Sequence, residues 1–139
     1  MSRQQLQAWV LRLVGLTEMF AFGAAVMPRV WMEDAHRSLG LGELPDSPVV
    51  NFIIRQTSFT YGLHGLALWL IAWDVVRYRP LVILTGIGYL LAGPAFFVID
   101  YTSGMPWWWV VGDGGACLLI GALILWLEFG RARSENRNH

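Results

Sequence analysis

The sequence predicts an all-α membrane protein, a four-transmembrane-helix antiparallel bundle with both termini cytoplasmic. Three observations carry this expectation. Four apolar stretches, each long enough to cross a bilayer, fill most of the 139 residues, and a water-soluble chain of that length has little left to cover them. Apolar residues make up 55% of the chain and charged ones 14%, against about 45–50% and about 25% in soluble proteins. The few charges are placed unevenly, and their placement sets the orientation.

The first helix is expected over about residues 5–27, ended by Pro28 and Arg29. At 1.5 Å per residue this is about 34 Å, a full crossing. Gly15, Ala21, Gly23, Ala24 and Ala25 offer small surfaces for close helix contact. Glu18 in its middle, and the lack of a cleavage site followed by a polar chain, mark a retained helix and not a signal peptide. Residues 29–47 form an outer loop with a short amphipathic piece, VWMEDAHRSLGL. Trp31, Met32, Leu39 and Leu41 are expected on the membrane surface, with Glu33, Asp34 and Arg37 toward water.

LGLGELPDSP is turn chemistry, and Ser47 and Pro48 suit the N-cap and first residue of a second helix over about 48–76. Its first turns, with Asn51, Arg55 and Gln56, belong in the interface. Arg77 to Pro80 is a tight turn that makes the second and third helices antiparallel neighbours. The third helix covers about 81–100 with a kink at Pro94, and the fourth about 106–129. Trp107, Trp108 and Trp109 begin that last helix as an interface belt, and Trp126 and Phe129 close it. Residues 1–129 are thus one membrane domain, and 130–139 a polar tail expected to be disordered.

With four crossings, the side holding both termini and the turn after the second helix carries Arg3, Arg77, Arg79, Arg131, Arg133 and Arg137. The other side mixes Arg29, Arg37 and Arg55 with Glu33, Asp34, Glu43, Asp46 and Asp100. The positive-inside bias makes the first side cytoplasmic, and the expected location is a bacterial inner (plasma) membrane. A net charge of zero excludes the basic field of a nucleic-acid binder. The single cysteine, Cys117, excludes an intrachain disulfide and a CxxC redox pair, and reads as a small buried residue. Glu33, Asp34 and His36 match no zinc spacing, so no metal and no cofactor is expected.

Three ionisable residues fall inside the apolar stretches. Glu18 lies about 15 Å, and His64 and Asp113 about 10 Å, from the outer ends of their helices. A charge facing lipid at mid-bilayer costs about 2.5–3.5 kcal/mol on insertion scales, so all three are expected to point inward. On the second helix Thr57, Thr60, Tyr61 and His64 form one polar stripe that continues through Leu68 and Ile71. On the third, Gly86, Tyr89, Gly93 and Asp100 share a face, while Gly112 and Ala116 give the fourth helix a close approach beside Asp113. The predicted site is a narrow polar pocket lined by Glu18, Tyr61, His64, Tyr89 and Asp113, with Arg55 and Asp100 at its mouth. Asp100 is read as solvated or paired with Arg29 or Arg55, Asp74 as an ion pair with Arg77 or Arg79, and Glu128 as an end-of-helix partner of Arg131. The structural alternative is that His64 bonds a neighbouring carboxylate and simply holds two helices together.

LRLVGLTEMFAFGAAVMPRVW, leading through a GLG turn to RQTSFTYGLHGLALWL, resembles the layout of small DoxX-like four-helix membrane proteins. The resemblance implies the fold; some members of that grouping are linked to quinone-dependent sulfur oxidation, but no catalytic signature of this chain carries that role over. Three functions follow. The first is a non-enzymatic accessory or structural membrane module, the second a binding or transfer protein for a small ligand, proton or cation, and the third a quinone-linked oxidoreductase component. The implied partners are the lipid bilayer and, because four helices are few for an independent transporter, a homo-oligomer or larger membrane complex.

Overall fold

Apolar chain in lipid must satisfy its backbone polar groups within itself, and a helix does so segment by segment. The computed structural model is accordingly all helical among the described residues: α1 Arg3–Met19, α2 Ala21–Val26, α3 Arg29–Ser38, α4 Pro48–Ile71, α5 Arg79–Thr102 and α6 Trp107–Glu135. The backbone is described for residues 1–135 and side chains for residues 1–130. Three segments are long and apolar enough to cross a membrane: Arg3–Val26, which joins α1 and α2, then Arg79–Thr102 and Trp107–Gly130. α4 has the length, 24 residues, but Asn51, Arg55, Gln56, Thr57, Thr60 and His64 keep it out of that set.

Four boundaries differ from the sequence reading. The first crossing is broken at Phe20, whose N–H bonds the Leu16 carbonyl at 3.3 Å while the Gly23 N–H turns back to the Phe20 carbonyl at 3.0 Å. That is a three-residue bond in place of a four-residue one, so the helix tightens and restarts. α4 ends at Ile71, short of Val76, because the Asp74 carboxylate accepts the Arg77 backbone N–H at 2.9 Å and folds the chain into a turn. α5 then starts at Arg79 and runs through Pro94 without interruption. α6 continues past Phe129 to Glu135, where a disordered tail was expected; that expectation for residues 136–139 lies outside the described residues.

The chain falls into two compact units, Met1–Leu11 with Ile71–His139, and Arg12–Leu70. In the first, α5 and α6 pack antiparallel through four glycines. A Cβ on Gly121 would lie 2.7 Å from the Gly86 carbonyl oxygen, and one on Gly93 would lie 3.0 Å from that of Gly114. Residues seven apart return to one helix face, so Gly86 and Gly93 meet Gly121 and Gly114 along a single seam. The opposite face of α5 carries Leu84, Leu91 and Val98, each more than half exposed, as a surface destined for lipid requires. Close approach therefore falls on Gly114 and Gly121, and the predicted contact through Gly112 and Ala116 is absent: both residues are exposed and a Cβ on Gly112 would meet nothing.

In the second unit α1 and α4 cross at Gly15 and Gly65, where backbone meets backbone. The Trp69 indole N–H donates to the Arg12 carbonyl at 2.9 Å, one turn before Gly15. Phe22 fills the space over Gly62 and stacks edge-on against Phe59, with centroids 5.5 Å apart. The loop between α3 and α4 turns at Gly40 and Gly42, whose φ of 72° and 82° only glycine adopts without strain. Arg29 ties that loop to α4, donating to Asn51 Oδ1 at 2.9 Å and to the Leu44 carbonyl at 3.1 Å, with Asp46 at 3.4 Å. Met32 is buried, which removes it from the membrane-facing set predicted for α3; Val30 and Trp31 are the exposed large apolar residues of that helix.

Candidate functional site

The unit formed by Arg12–Leu70 brings together one pair of the predicted site residues. His64 Nδ1 lies 2.6 Å from Glu18 Oε2, a hydrogen bond across α1 and α4. The pair forms because Gly15 and Gly65 let the two backbones touch within one turn of it on each helix, placing both side chains within reach. Its two members differ in access. The Glu18 side chain is 13% exposed and the His64 side chain 48% exposed. The carboxylate is shielded, and the imidazole presents an open edge.

That edge borders an open cleft of about 460 Å³ lined by Gln56, Thr57, Thr60, Tyr61 and His64. All five stand on α4, at one, four, five and eight residues from Gln56, which is one flank of a helix. The sequence placed this stripe on the buried face with Leu68. Leu68 is indeed buried, but Thr57, Thr60, Tyr61 and His64 are exposed. The buried face of α4 runs through Gly62, Gly65 and Leu68, and the polar stripe lies beside it. The Thr60 hydroxyl donates to the Gln56 carbonyl at 2.9 Å, leaving its oxygen lone pairs toward the cleft.

Arg55 does not stand over a pocket mouth. Its guanidinium donates to the Ala25 carbonyl at 2.7 Å and the Met27 carbonyl at 3.1 Å, capping the end of α2, where carbonyls have no intrahelical partners. Arg29 is held within the same unit, by Asn51, the Leu44 carbonyl and Asp46.

Tyr89, Asp100 and Asp113 belong to the other unit. Tyr89 is half-buried on α5, and Asp113 is exposed on α6. Asp100 Oδ2 is buried with no hydrogen-bond partner among the described residues. Among the described residues no cluster of His, Cys, Asp and Glu has the arrangement of a metal site.

A second polar centre escaped the sequence reading. Glu128 is fully buried and accepts hydrogen bonds from Arg79 Nε at 2.7 Å and from Gln7 Nε2 at 3.1 Å. Gln7 is also fully buried, and its Oε1 has no partner among the described residues. The centre joins α1, α5 and α6 and engages Arg79 with Glu128; the expected Glu128–Arg131 pairing falls on a side chain outside the described residues. One signal pointed to it. Gly114, Cys117, Gly121 and Ile124 form the buried stripe of α6, and Glu128 is its next member at i+4.

Fold and site together define an all-α membrane protein whose apolar helices carry two internal polar centres, one of them opening on a cleft. Comparison with protein-family models, with curated proteins and with solved structures finds no match for the chain.

Proposed function

We propose that this chain is a small polytopic membrane protein without chemistry of its own, a module that holds a small ligand in the α4 cleft through His64. One observation carries the reading: the Glu18–His64 pair is asymmetric, with the acid shielded and the imidazole half exposed toward hydroxyl, amide and phenol groups. A shielded carboxylate fixes the ring's tautomer and orientation, and the ring then offers its outer edge to a guest. Ionisable residues within membrane segments mark ligand sites and pathways by default, because exposing them to lipid is costly.

The same reading places α4 as a fourth crossing, with its polar flank turned from lipid by a ligand or a neighbouring protein. The arginines at the end bearing Arg3, Arg77 and Arg79 support cytoplasmic termini in a bacterial inner membrane. This is the layout that the DoxX-like resemblance implies.

A structural reading is favoured by a different observation, the contact of Gly15 with Gly65 beside the pair. There the hydrogen bond serves only to set the register of two closely packed helices. Native mass spectrometry of protein released directly from membranes separates the two. Under the binding reading the wild type carries a small-molecule adduct that H64N loses while its melting temperature in detergent stays within a few degrees. No adduct on the wild type, with a clear fall in melting temperature for H64N, would leave only the structural role.

A further inference from the structure

The end of the first unit that carries Arg77 and Arg79 has features that the α4 cleft does not explain. Arg79 is the first residue of α5, and its Nε is fixed on the buried Glu128 at 2.7 Å while the side chain as a whole is 46% exposed. Anchoring one edge of a planar guanidinium aims the rest of its fork of donors away from the carboxylate. Two residues earlier, the exposed Arg77 guanidinium sits 5.6 Å over the Tyr78 ring. Its backbone is held by Asp74, so the turn that presents it is pinned. The backbone N–H groups of Leu81 and Val82 at the start of α5 both go to the Tyr78 carbonyl, at 2.9 and 3.0 Å, so recognition at this end falls to side chains.

Exposed apolar residues flank the two arginines along the chain. Trp73 is 70% exposed, Val76 51% and Leu81 44%. Exposed indole and aliphatic side chains within a few residues of two arginines suit the layers of a phospholipid, with acyl chain and interface for Trp73, Val76 and Leu81, and phosphate for the guanidinium groups. The charge has the right sign as well. Glu128 is buried beneath Arg79, so among the residues with described side chains the outward-facing charges of this end are Arg3, Arg77 and Arg79 against Asp74.

We propose that Arg77 and Arg79, with Trp73, form a binding site for the phosphate-bearing headgroup of an anionic phospholipid, and that Glu128 is the residue that aims Arg79 at it. The site is independent of the α4 cleft and takes a lipid of the surrounding leaflet, not a soluble phosphate.

The test uses the full chain in vesicles of phosphatidylcholine alone or mixed with phosphatidylglycerol, with retained lipids counted by native mass spectrometry. The wild type should retain phosphatidylglycerol over phosphatidylcholine. R77Q and R79Q should each lower that preference roughly fivefold, the worth of one basic residue at an anionic surface. R79K, which keeps the charge but not the fork, and E128Q, which keeps Arg79 but loosens its aim, should fall between. R77Q touches no buried partner, so it remains informative if R79Q fails to fold. Equal retention of the two lipids by the wild type, or an unchanged preference in R77Q, would overturn the proposal. Displacement of the lipid by inorganic phosphate would overturn the assignment to a lipid headgroup.

Discussion

The carbonyl oxygen of Gly65 stands 2.6 Å from where a Cβ on Gly15 would lie, and a Cβ on Gly65 would in turn meet the Gly15 carbonyl. Backbone oxygens cannot swing aside as side chains do, so the helices must separate to admit even a methyl group. G15A and G65A are each expected to cost about 1–3 kcal/mol, the usual penalty of overpacking. Gly23 has open space around it, and there alanine should be neutral or gain up to about 1 kcal/mol through helix propensity. Unfolding of the three variants in detergent gives the order.

The Glu18–His64 bond across those helices should be measurable as a coupling. A double-mutant cycle with E18Q, H64N and the double variant is expected to give about 0.6–1.7 kcal/mol, the range for hydrogen bonds between membrane helices. A coupling near zero would mean that the two side chains do not interact in the folded protein.

Glu128 should be far more sensitive. Removing it in E128A leaves the buried Gln7 amide only the longer 3.5 Å bond to the Ile124 carbonyl, and takes from Arg79 the carboxylate it bonds. Breaking a buried pair from one side costs about 3–5 kcal/mol, and the partial exposure of Arg79 puts the expectation at the lower end, about 3 kcal/mol. Q7A removes only one neutral donor to the carboxylate and should cost about half as much. Equal losses for the two variants would contradict the geometry described here.

Arg55 caps α2, so R55A should cost about 1 kcal/mol and should speed amide hydrogen exchange in the residues around Ala25 and Met27. Exchange elsewhere in α4 should be little affected. A uniform rise across the chain would indicate global loss of stability and not the opening of one helix end.

Helical character and the three apolar crossings could be read from composition and stretch length, because both follow from the demand that lipid makes on the backbone. The Glu18–His64 pairing was also accessible, since two ionisable residues inside apolar helices have few places to go. Helix faces were harder. Thr57, Tyr61 and His64 share a side with Leu68, and periodicity alone could not say that the buried arc is centred on Gly62 and Gly65 instead. Glycine carries little hydropathy signal, yet in this chain glycines mark the seams. Glu128 shows a related limit of local spacing: sequence proximity points to Arg131, whose side chain lies outside the described residues, whereas the contact with Arg79 spans 49 residues. Phe20 gave no warning at all, because neither glycine nor proline marks the break.

Complete burial of Glu128 has a consequence for biogenesis. An acid entering the bilayer on a lone helix would arrive with no counter-charge, but Gln7 and Arg79 both precede α6 in the chain. By the time the ribosome has released α6, its two partners are already in place to receive the carboxylate. The last helix is thus expected to integrate only against its predecessors. Nascent chains lacking α5 should leave α6 poorly inserted, and replacing Glu128 with leucine should free it to insert alone.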